Sequence, residues 1–132
     1  MKKYGLSALE KIKSRKEFEK VFTGGKTTYS SDNKIRANYR IIGGSNKIRV
    51  KFAVAVGKKL GNAVWRNRVN RLIRETYRHN KLELLAKCKT KDAFLQIIFS
   101  PQDLNQQENK HVDLKDIEFP LKEIIAKIRD EI

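Results

Sequence analysis

The segment Asp92–Phe99, with the sequence DAFLQIIF, limits the possible folds of this chain more than any other segment. All but two of its side chains are apolar, and it has the length of a single strand. Such a run is typical of a strand that is buried on both faces in the middle of a sheet. Ser100 and Pro101 end the run, because proline cannot donate a ladder hydrogen bond. The sequence therefore predicts a central strand here.

Two other segments alternate between apolar and polar side chains, as half-buried strands do. They span residues 34–42 and 47–56, and their apolar positions are Ile35, Ala37, Tyr39 and Ile41, then Ile48, Val50, Phe52, Val54 and Val56. Because residues 43–46 between them have the composition of a turn, the two segments are predicted to form an antiparallel hairpin. One more short strand fits near residues 26–31.

Helical spacing predicts three helices. Ser14 and Glu17 have the spacing of a capping box that opens a helix over residues 14–23. A second helix covers residues 62–79, and residues 81–88 either extend it or form a separate turn. The last helix is predicted from apolar side chains at helical spacing, with Pro120 in its first turn; these are Ile117, Leu121, Ile124, Ile125, Ile128 and Ile132.

These elements follow the order α-β-β-(β)-α-β-α. The order predicts an α+β two-layer sandwich, a small mixed sheet packed by helices. A length of 132 residues fits one domain spanning the whole chain. Residues 1–12 are interpreted as a flexible basic N-terminus, and residues 101–113 as a polar loop.

The predicted helix over residues 62–79 has two contrasting faces. One side is apolar and predicts a core contact; it holds Trp65, Val69, Leu72, Ile73 and Thr76. The other side holds Arg66, Asn67, Asn70, Arg71, Arg74 and Arg78, with Arg68 near the edge and Lys58 and Lys59 just before the helix. A solvated cationic helix usually carries acidic partners four residues away, but only Glu75 is present here. Because arginine forks bind phosphate oxygens in pairs, this face favours a polyanion as partner.

The charge of the whole chain supports that interpretation. The net charge is +15, which a chain of this size carries most readily against a polyanion. Residues 1–91 hold 25 basic and 6 acidic side chains, whereas residues 92–132 hold 5 basic and 9 acidic ones. The contact region is therefore predicted in the first part, and the C-terminal part is interpreted as scaffold.

Other classes of protein find little support in the sequence. Cys88 is the only cysteine, which excludes an internal disulfide and a cysteine-cluster zinc site, and His79 and His111 lack the spacing of metal ligands. No apolar run has the length of a membrane span or of a signal peptide, so the protein is expected in the cytosol. Residues 24–27, GGKT, end like a phosphate loop but lack its first glycine and its preceding strand.

Phe18 and Phe22 allow two interpretations. Aromatic side chains four residues apart on a helix usually belong to the core. They also form stacking platforms for unpaired bases, particularly where lysines surround them. Spacing alone leaves both open.

A dense set of motifs resembles the bacterial ribonuclease P protein component family. These motifs are KKLGNAV at residues 58–64, the RNR motif at residues 66–68 and RLIRE at residues 71–75. The stretch FEKVF at residues 18–22, with Gly25 and Lys26 behind it, is similar to that family's start. The resemblance covers about residues 12–99.

The resemblance implies a function and a set of site residues. Proteins of this family join a catalytic RNA, and the complex removes the 5′ leader from precursor tRNA. Residues implied to bind the RNA subunit are Lys58, Lys59, Asn62, Arg66, Asn67, Arg68, Arg71 and Arg74. Phe18, Phe22 and Tyr39 are implied to line a cleft for the single-stranded leader. The RNA carries the catalysis with Mg²⁺ that it binds itself, so no catalytic or metal-binding residue is expected in the protein, which is a monomer before assembly.

The resemblance also implies a ribosomal-protein-S5-domain-2-like fold with a left-handed βαβ crossover, against the general right-handed rule. Some positions depart from the family pattern. Gly57 stands where a serine is common, and Asn70 stands where a basic residue is usual. The polar stretch at residues 101–113 looks longer than in the family.

Three rival functions remain. A ribosomal-type basic protein would bind RNA without any role in cleavage. A stand-alone nuclease would need a carboxylate or histidine cluster, which the basic region does not offer. A helix-based DNA-binding protein would need a helix-turn-helix partner before the basic helix, and no such partner precedes it.

Overall fold

The computed structural model describes residues 10–43 and 49–132 of the chain. Four helices and four strands, with one short 3-10 turn, make up this part. They are α1 (Arg15–Gly24), β1 (Lys26–Tyr29), β2 (Ile35–Gly43), β3 (Val50–Val54), the 3-10 turn Lys58–Leu60, α2 (Ala63–Asn80), α3 (Leu82–Lys91), β4 (Ala93–Pro101) and α4 (Leu114–Glu131). The short strand predicted near residues 26–31 is therefore present, and residues 81–88 belong to a separate helix.

β4 lies inside the sheet, as its apolar sequence predicts. The strand order is β1-β2-β4-β3, and all nine residues of β4 are buried. β2 pairs with β4 antiparallel, with Ile35 opposite Pro101, whereas β3 pairs with β4 parallel, with Val50 opposite Leu95. The prediction of a central strand is confirmed.

The predicted hairpin between the second and third strands is wrong. β2 and β3 do not touch as neighbours, because β4 lies between them and pairs with both. The physical reason is that β4 is apolar on both faces and therefore takes the middle of the sheet, with a strand on each side. The alternating patterns in β2 and β3 do not show this. Of the turn assigned to residues 43–46, all but Gly43 lies outside the described residues.

Helices cover both faces of this sheet. α2, α3 and α4 pack on one face, where the main core includes Phe52, Ile97 and Ile124. α1 packs on the opposite face, where Val21 contacts Ile98. The predicted α+β arrangement of a small mixed sheet packed by helices is confirmed. The connection from β3 to the parallel β4 runs through α2 and α3, and its left hand stays a prediction.

α4 begins earlier than the sequence pattern predicts. Asp113 and Asp116 form a capping box, and the helix starts at Leu114. Pro120 is thus the seventh residue of the helix and not part of its first turn, so that prediction is wrong. The prediction relied on the apolar spacing, which begins only at Ile117, whereas the polar capping residues determine where α4 starts. No helix in the described part of the chain has the length and apolar character needed to cross a membrane.

The segment before α1 is packed against the sheet from Glu10 onward. Ile12 is buried, and its N–H donates to the carbonyl of Phe52 at 2.9 Å. Lys81, 2% exposed, forms an ion pair with Glu10 at 2.9 Å. An apolar side chain and a paired carboxylate thus hold residues 10–12 against the body of the protein, and the flexible terminus over residues 1–12 stays a prediction. The rest of that segment lies outside the described residues.

α4 is tied to the turn between β1 and β2. Glu123 accepts hydrogen bonds from the N–H and the hydroxyl of Ser31, both at 3.0 Å, and Lys127 donates to the carbonyl of Tyr29 at 2.7 Å. The hydrogen bond from the Ser31 N–H lowers the pKa of Glu123 below its ordinary value of 4.5. These contacts hold the edge strand β1 to the helical layer.

Glu123→Gln should lower the free energy of unfolding by about 1 kcal/mol at neutral pH, because a charge-assisted hydrogen bond is lost. Since the pKa of Glu123 is lower in the folded protein, its contribution is present above pH 4.5 and is lost as the pH falls through the folded-state pKa. Urea unfolding over a series from about pH 7 downward should show the difference from the parent protein shrink as the pH falls. Glu118→Gln is the control, because among the described residues the Glu118 carboxylate bonds only to Lys122 on the same helix. A difference that persists in acid would contradict the prediction.

Candidate nucleic-acid interface

Hydrogen bonds made by Asn62 and by Trp65 fix the start of α2. Asn62 is the N-cap, and its side-chain oxygen accepts from the N–H of Trp65 at 2.9 Å. The Trp65 ring is buried, and its indole N–H donates to the carbonyl of Asn109 at 2.8 Å. Because Trp65 anchors the first turn in the core, the rotation of the helix about its axis is set. The apolar side then faces the sheet and the basic side faces solvent.

The outer side of α2 and the turn before it form a cationic surface. Its exposed members are Lys58, Lys59, Asn62, Asn67, Arg68, Arg71 and Arg74, and Arg66 is half-buried beside them. All eight residues assigned to the RNA subunit thus lie on one continuous stretch of chain, at its outer side. In the described part of the chain, neither Arg71 nor Arg74 has a hydrogen-bond or ion-pair partner. Their guanidinium groups are available to a ligand.

The two arginines of the RNR motif are partly engaged within the protein. Arg66 donates its Nε–H to the carbonyl of Gly61 at 3.0 Å. Arg68 donates its Nε–H to the carbonyl of Val112 at 2.6 Å, and one terminal nitrogen lies 3.3 Å from a carboxylate oxygen of Asp113. Each Nε bond fixes the direction of the guanidinium plane. Lysine could not reproduce this, because it has no second donor along its side chain.

The C-terminal end of α2 is electrically balanced. Glu75 accepts hydrogen bonds from Arg78 and from His79. The hydrogen bond from Arg78 lowers the pKa of Glu75, so the carboxylate stays ionised at neutral pH. The unbalanced positive charge therefore lies in the turn before α2 and along the helix as far as Arg74.

A groove at the edge strand β3, lined from both α1 and α2, adjoins this cationic surface. Phe18 lines it together with Lys11, Ile12, Ala53, Asn70 and Arg74. The rings of Phe18 and Phe22 lie 5.2 Å apart at an interplanar angle of 47°, and Phe22 is 40% exposed. Phe18 is half-buried and also packs against the small cluster under α1. An aromatic surface and a guanidinium group thus lie along one groove.

Tyr39 does not lie in this groove, and its assignment to the cleft has to be corrected. It is 4% exposed and belongs to the main core on the opposite face of the sheet. Successive side chains of a strand point to opposite faces, so Tyr39 shares its face with Ile35 and Ala37 rather than with α1. The same alternation brings Asn38 and Arg40 to the α1 side.

Sequence reasoning missed the contacts made by the loop of residues 102–113. Gln106 and the carbonyls of Asn109 and Val112 bond to residues 61–68 at distances of 2.6–2.8 Å. The two residues of each contact lie 44 positions apart in the sequence, and four of the six donor or acceptor groups belong to the backbone or to an ordinary amide. No local pattern in the sequence signals them.

Similarity to known proteins agrees with this geometry. The family model for ribonuclease P matches residues 6–118. The ribonuclease P protein component of Clostridium botulinum strain Langeland is 34% identical over 118 residues, which is 89% of this chain and 92% of that protein. The one from Syntrophus aciditrophicus is 35% identical over 82 residues, and the match spans only 64% of its length.

Solved structures show the same fold. The RNase P protein of Staphylococcus aureus superposes with a TM-score of 0.66 at 21% identity, over 90% of this chain and 94% of that one. The RNase P protein of Thermotoga maritima superposes with a TM-score of 0.65 at 21% identity, over 92% and 96% of the two chains. The family match over most of the chain, together with the Clostridium relative, shows that this chain belongs to the ribonuclease P protein component family.

Proposed function

We propose that this chain is the RNA-binding protein subunit of ribonuclease P and assists a catalytic RNA in removing the 5′ leader from precursor tRNA. Membership in the family supports a role in tRNA processing. The observation that carries the finer proposal is the cationic surface of α2, where the exposed Arg71 and Arg74 have no acidic partner among the described residues. Folded RNA presents dense phosphate that such a surface neutralises.

The contact with the RNA subunit is assigned to the cationic surface. Asn67, Arg71 and Arg74 project from the outer side of α2, and Lys58 and Lys59 lie in the 3-10 turn before it. Arg66 and Arg68 contribute their terminal nitrogens, since their Nε atoms are already engaged. Asn62 serves the interface indirectly, because its side chain caps the helix that carries the arginines.

The 5′ leader is assigned to the groove beside α1. Phe22 offers an exposed ring, and Phe18 lies next to it in the wall of the groove. A leader varies in sequence, so its recognition has to tolerate any base, as stacking on aromatic rings does. Arg74 lies at the junction of the groove and the cationic surface, where it can meet a leader phosphate.

Catalysis is assigned to the RNA. The described residues contain no group of three or more His, Cys, Asp or Glu side chains placed to share a metal ion. We assign the catalytic Mg²⁺ to the RNA subunit. The protein then contributes affinity and charge neutralisation rather than a reacting group.

Phe22→Ala should weaken binding of precursor tRNA to the assembled complex by about tenfold, because stacking of one base is worth about 1–3 kcal/mol. Binding of mature tRNA, which has no leader, should not change. Equilibrium titration of the complex with both tRNAs measures the two affinities. Phe119→Ala removes an equally large ring that is 70% exposed on α4, on the far side of the sheet, and is the control. An equal loss for both tRNAs would contradict the assignment of Phe22 to the leader.

The proposed function is tested by cleavage of precursor tRNA at low Mg²⁺ concentration, with a ribonuclease P RNA from a relative, with and without this protein. The expected result is that cleavage requires the RNA and is stimulated by the protein. Cleavage by the protein alone would locate the chemistry in the protein. Absence of stimulation, together with tight binding of ribosomal RNA, would favour a ribosomal-type binding protein.

A further inference from the structure

The loop of residues 102–113, here called the brace loop, is folded against the body of the protein. Leu104 and Val112 are each 1% exposed and belong to the main core. The N–H groups of Gln102 and Asp103 donate to the carbonyls of Lys34 and Asn33, at 2.7 and 2.9 Å. The loop therefore has fixed ends in the core, although most of its side chains are polar.

The brace loop holds the segment of residues 57–62, here called the lead segment, through Gln106. The N–H of Gln106 donates to the carbonyl of Leu60 at 2.7 Å, and its side-chain oxygen accepts from the N–H of Asn62 at 2.8 Å. Gln106 thus spans Gly61 with two hydrogen bonds. A Cβ atom at Gly61 would lie 2.7 Å from the Trp65 ring and 3.0 Å from the Cβ of Gln106. Only glycine allows the loop to approach this closely.

The same loop reaches the first turns of α2. The carbonyl of Asn109 accepts from the Trp65 indole N–H, and the carbonyl of Val112 accepts from the Nε–H of Arg68. Together with Gln106, these contacts attach one loop to the lead segment, to the anchor of the helix and to an arginine of the RNR motif. They are all directed at the residues that carry the proposed RNA contact.

The lead segment needs such support, because Lys58 and Lys59 lie between Gly57 and Gly61. Glycine has the greatest conformational freedom in an unrestrained chain. A segment that is already ordered binds its partner more tightly, since the cost of ordering it is met during folding. The side chains of Lys58 and Lys59 make no hydrogen bond or ion pair to the residues described. Only the backbone therefore fixes their positions.

We infer that the brace loop pre-orders the lead segment for RNA, and that Gln106 is the positioning residue that does so. The inference rests on the proposed function, because it assumes that Lys58 and Lys59 meet the RNA subunit. Gln106 itself does not have to touch the RNA. Its role is to keep the two lysines of the lead segment in one arrangement.

A double-mutant cycle tests the inference. Gln106→Met keeps the length of the side chain but removes the oxygen that accepts from Asn62. Affinity for the catalytic RNA should fall by about tenfold, since groups in contact couple by 0.5–3 kcal/mol. In a Lys58→Ala/Lys59→Ala background the same change should cost less than about twofold, because the lysines it positions are gone. Gln107→Met, an exposed neighbour on the same loop, is the control.

The outcomes separate the inference from the proposed function. If Gln106→Met weakens binding equally in both backgrounds, its effect is general destabilisation and the inference is overturned. If it has no effect while Lys58→Ala/Lys59→Ala weakens binding, only the inference fails. If the lysine variant binds RNA like the parent protein, the proposed interface is wrong and the inference falls with it. Should Gln106→Met not fold, Gln106→Ala removes the same acceptor without adding bulk and takes its place in the cycle.

Discussion

Replacing Arg71 and Arg74 together with alanine should lower affinity for the catalytic RNA about 30-fold at 0.15 M salt. Each arginine that neutralises a phosphate releases about 0.9 counterion, so losing two contacts reduces the slope of log K against log salt by about two. The folded protein should hardly change, because both side chains are exposed and have no partner in the part of the chain that the structure describes.

Binding titrations over a series of KCl concentrations measure both quantities. Lys89→Ala/Lys91→Ala is the matched control, because it removes two exposed positive charges from the end of α3, away from the cationic surface. Its slope should stay close to that of the parent protein. If the two double variants lost affinity and slope equally, binding would depend on total charge rather than on the face of α2.

Gly25→Ala should destabilise the protein by about 3 kcal/mol, the upper end of the cost of overpacking. A Cβ atom at this position would lie 2.4 Å from the carbonyl oxygen of Tyr39 and 2.5 Å from that of Val21. Both obstacles are backbone atoms, so no side-chain rotation relieves the clash. The backbone of α1 or β2 would have to move, and with it the wall of the groove that holds Phe18.

Gly24→Ala is the matched control for that prediction. No atom lies within 4 Å of a Cβ placed at Gly24, which is the last residue of α1. Alanine is preferred over glycine within a helix by up to about 1 kcal/mol, so this variant should be as stable as the parent protein or slightly more so. Urea unfolding of the two variants measures the difference. Equal stability would show that α1 lies farther from β2 than the structure has it.

The local elements could be predicted from the sequence, whereas the pairing of the strands could not. Apolar spacing located α2 almost to the residue, because the Trp65 face has to meet the core wherever the helix lies. The assumed hairpin between β2 and β3 failed for a different reason. Proximity in sequence favours direct pairing, but the apolar residues of β4 gain more by lying between the two strands. That gain depends on a segment about 40 residues further along the chain, which no local pattern contains.

The residues of the candidate site were likewise predictable only in part. The arginines of α2 were predictable, because they repeat with the helix and the sequence of the helix offers them only Glu75 as an acidic partner. Tyr39 was misplaced because the resemblance suggested a cleft residue, whereas the alternation in β2 had already placed it with Ile35 on the apolar face. The role of Gln106 was not visible at all. Its two hydrogen bonds depend on where the loop returns to the lead segment, and glutamine is common in any polar loop.

The central position of β4 has a consequence for synthesis of the protein on the ribosome. β4 is the last strand in the chain but the one on which β2 and β3 both pair. Before residues 93–101 leave the ribosome, β3 has no partner strand and the main core lacks its middle. We therefore expect the nascent chain to stay without a stable sheet until late in translation, and then to fold in one cooperative step dominated by contacts distant in sequence. The basic residues of α2 therefore leave the ribosome before the sheet that orients this helix has formed.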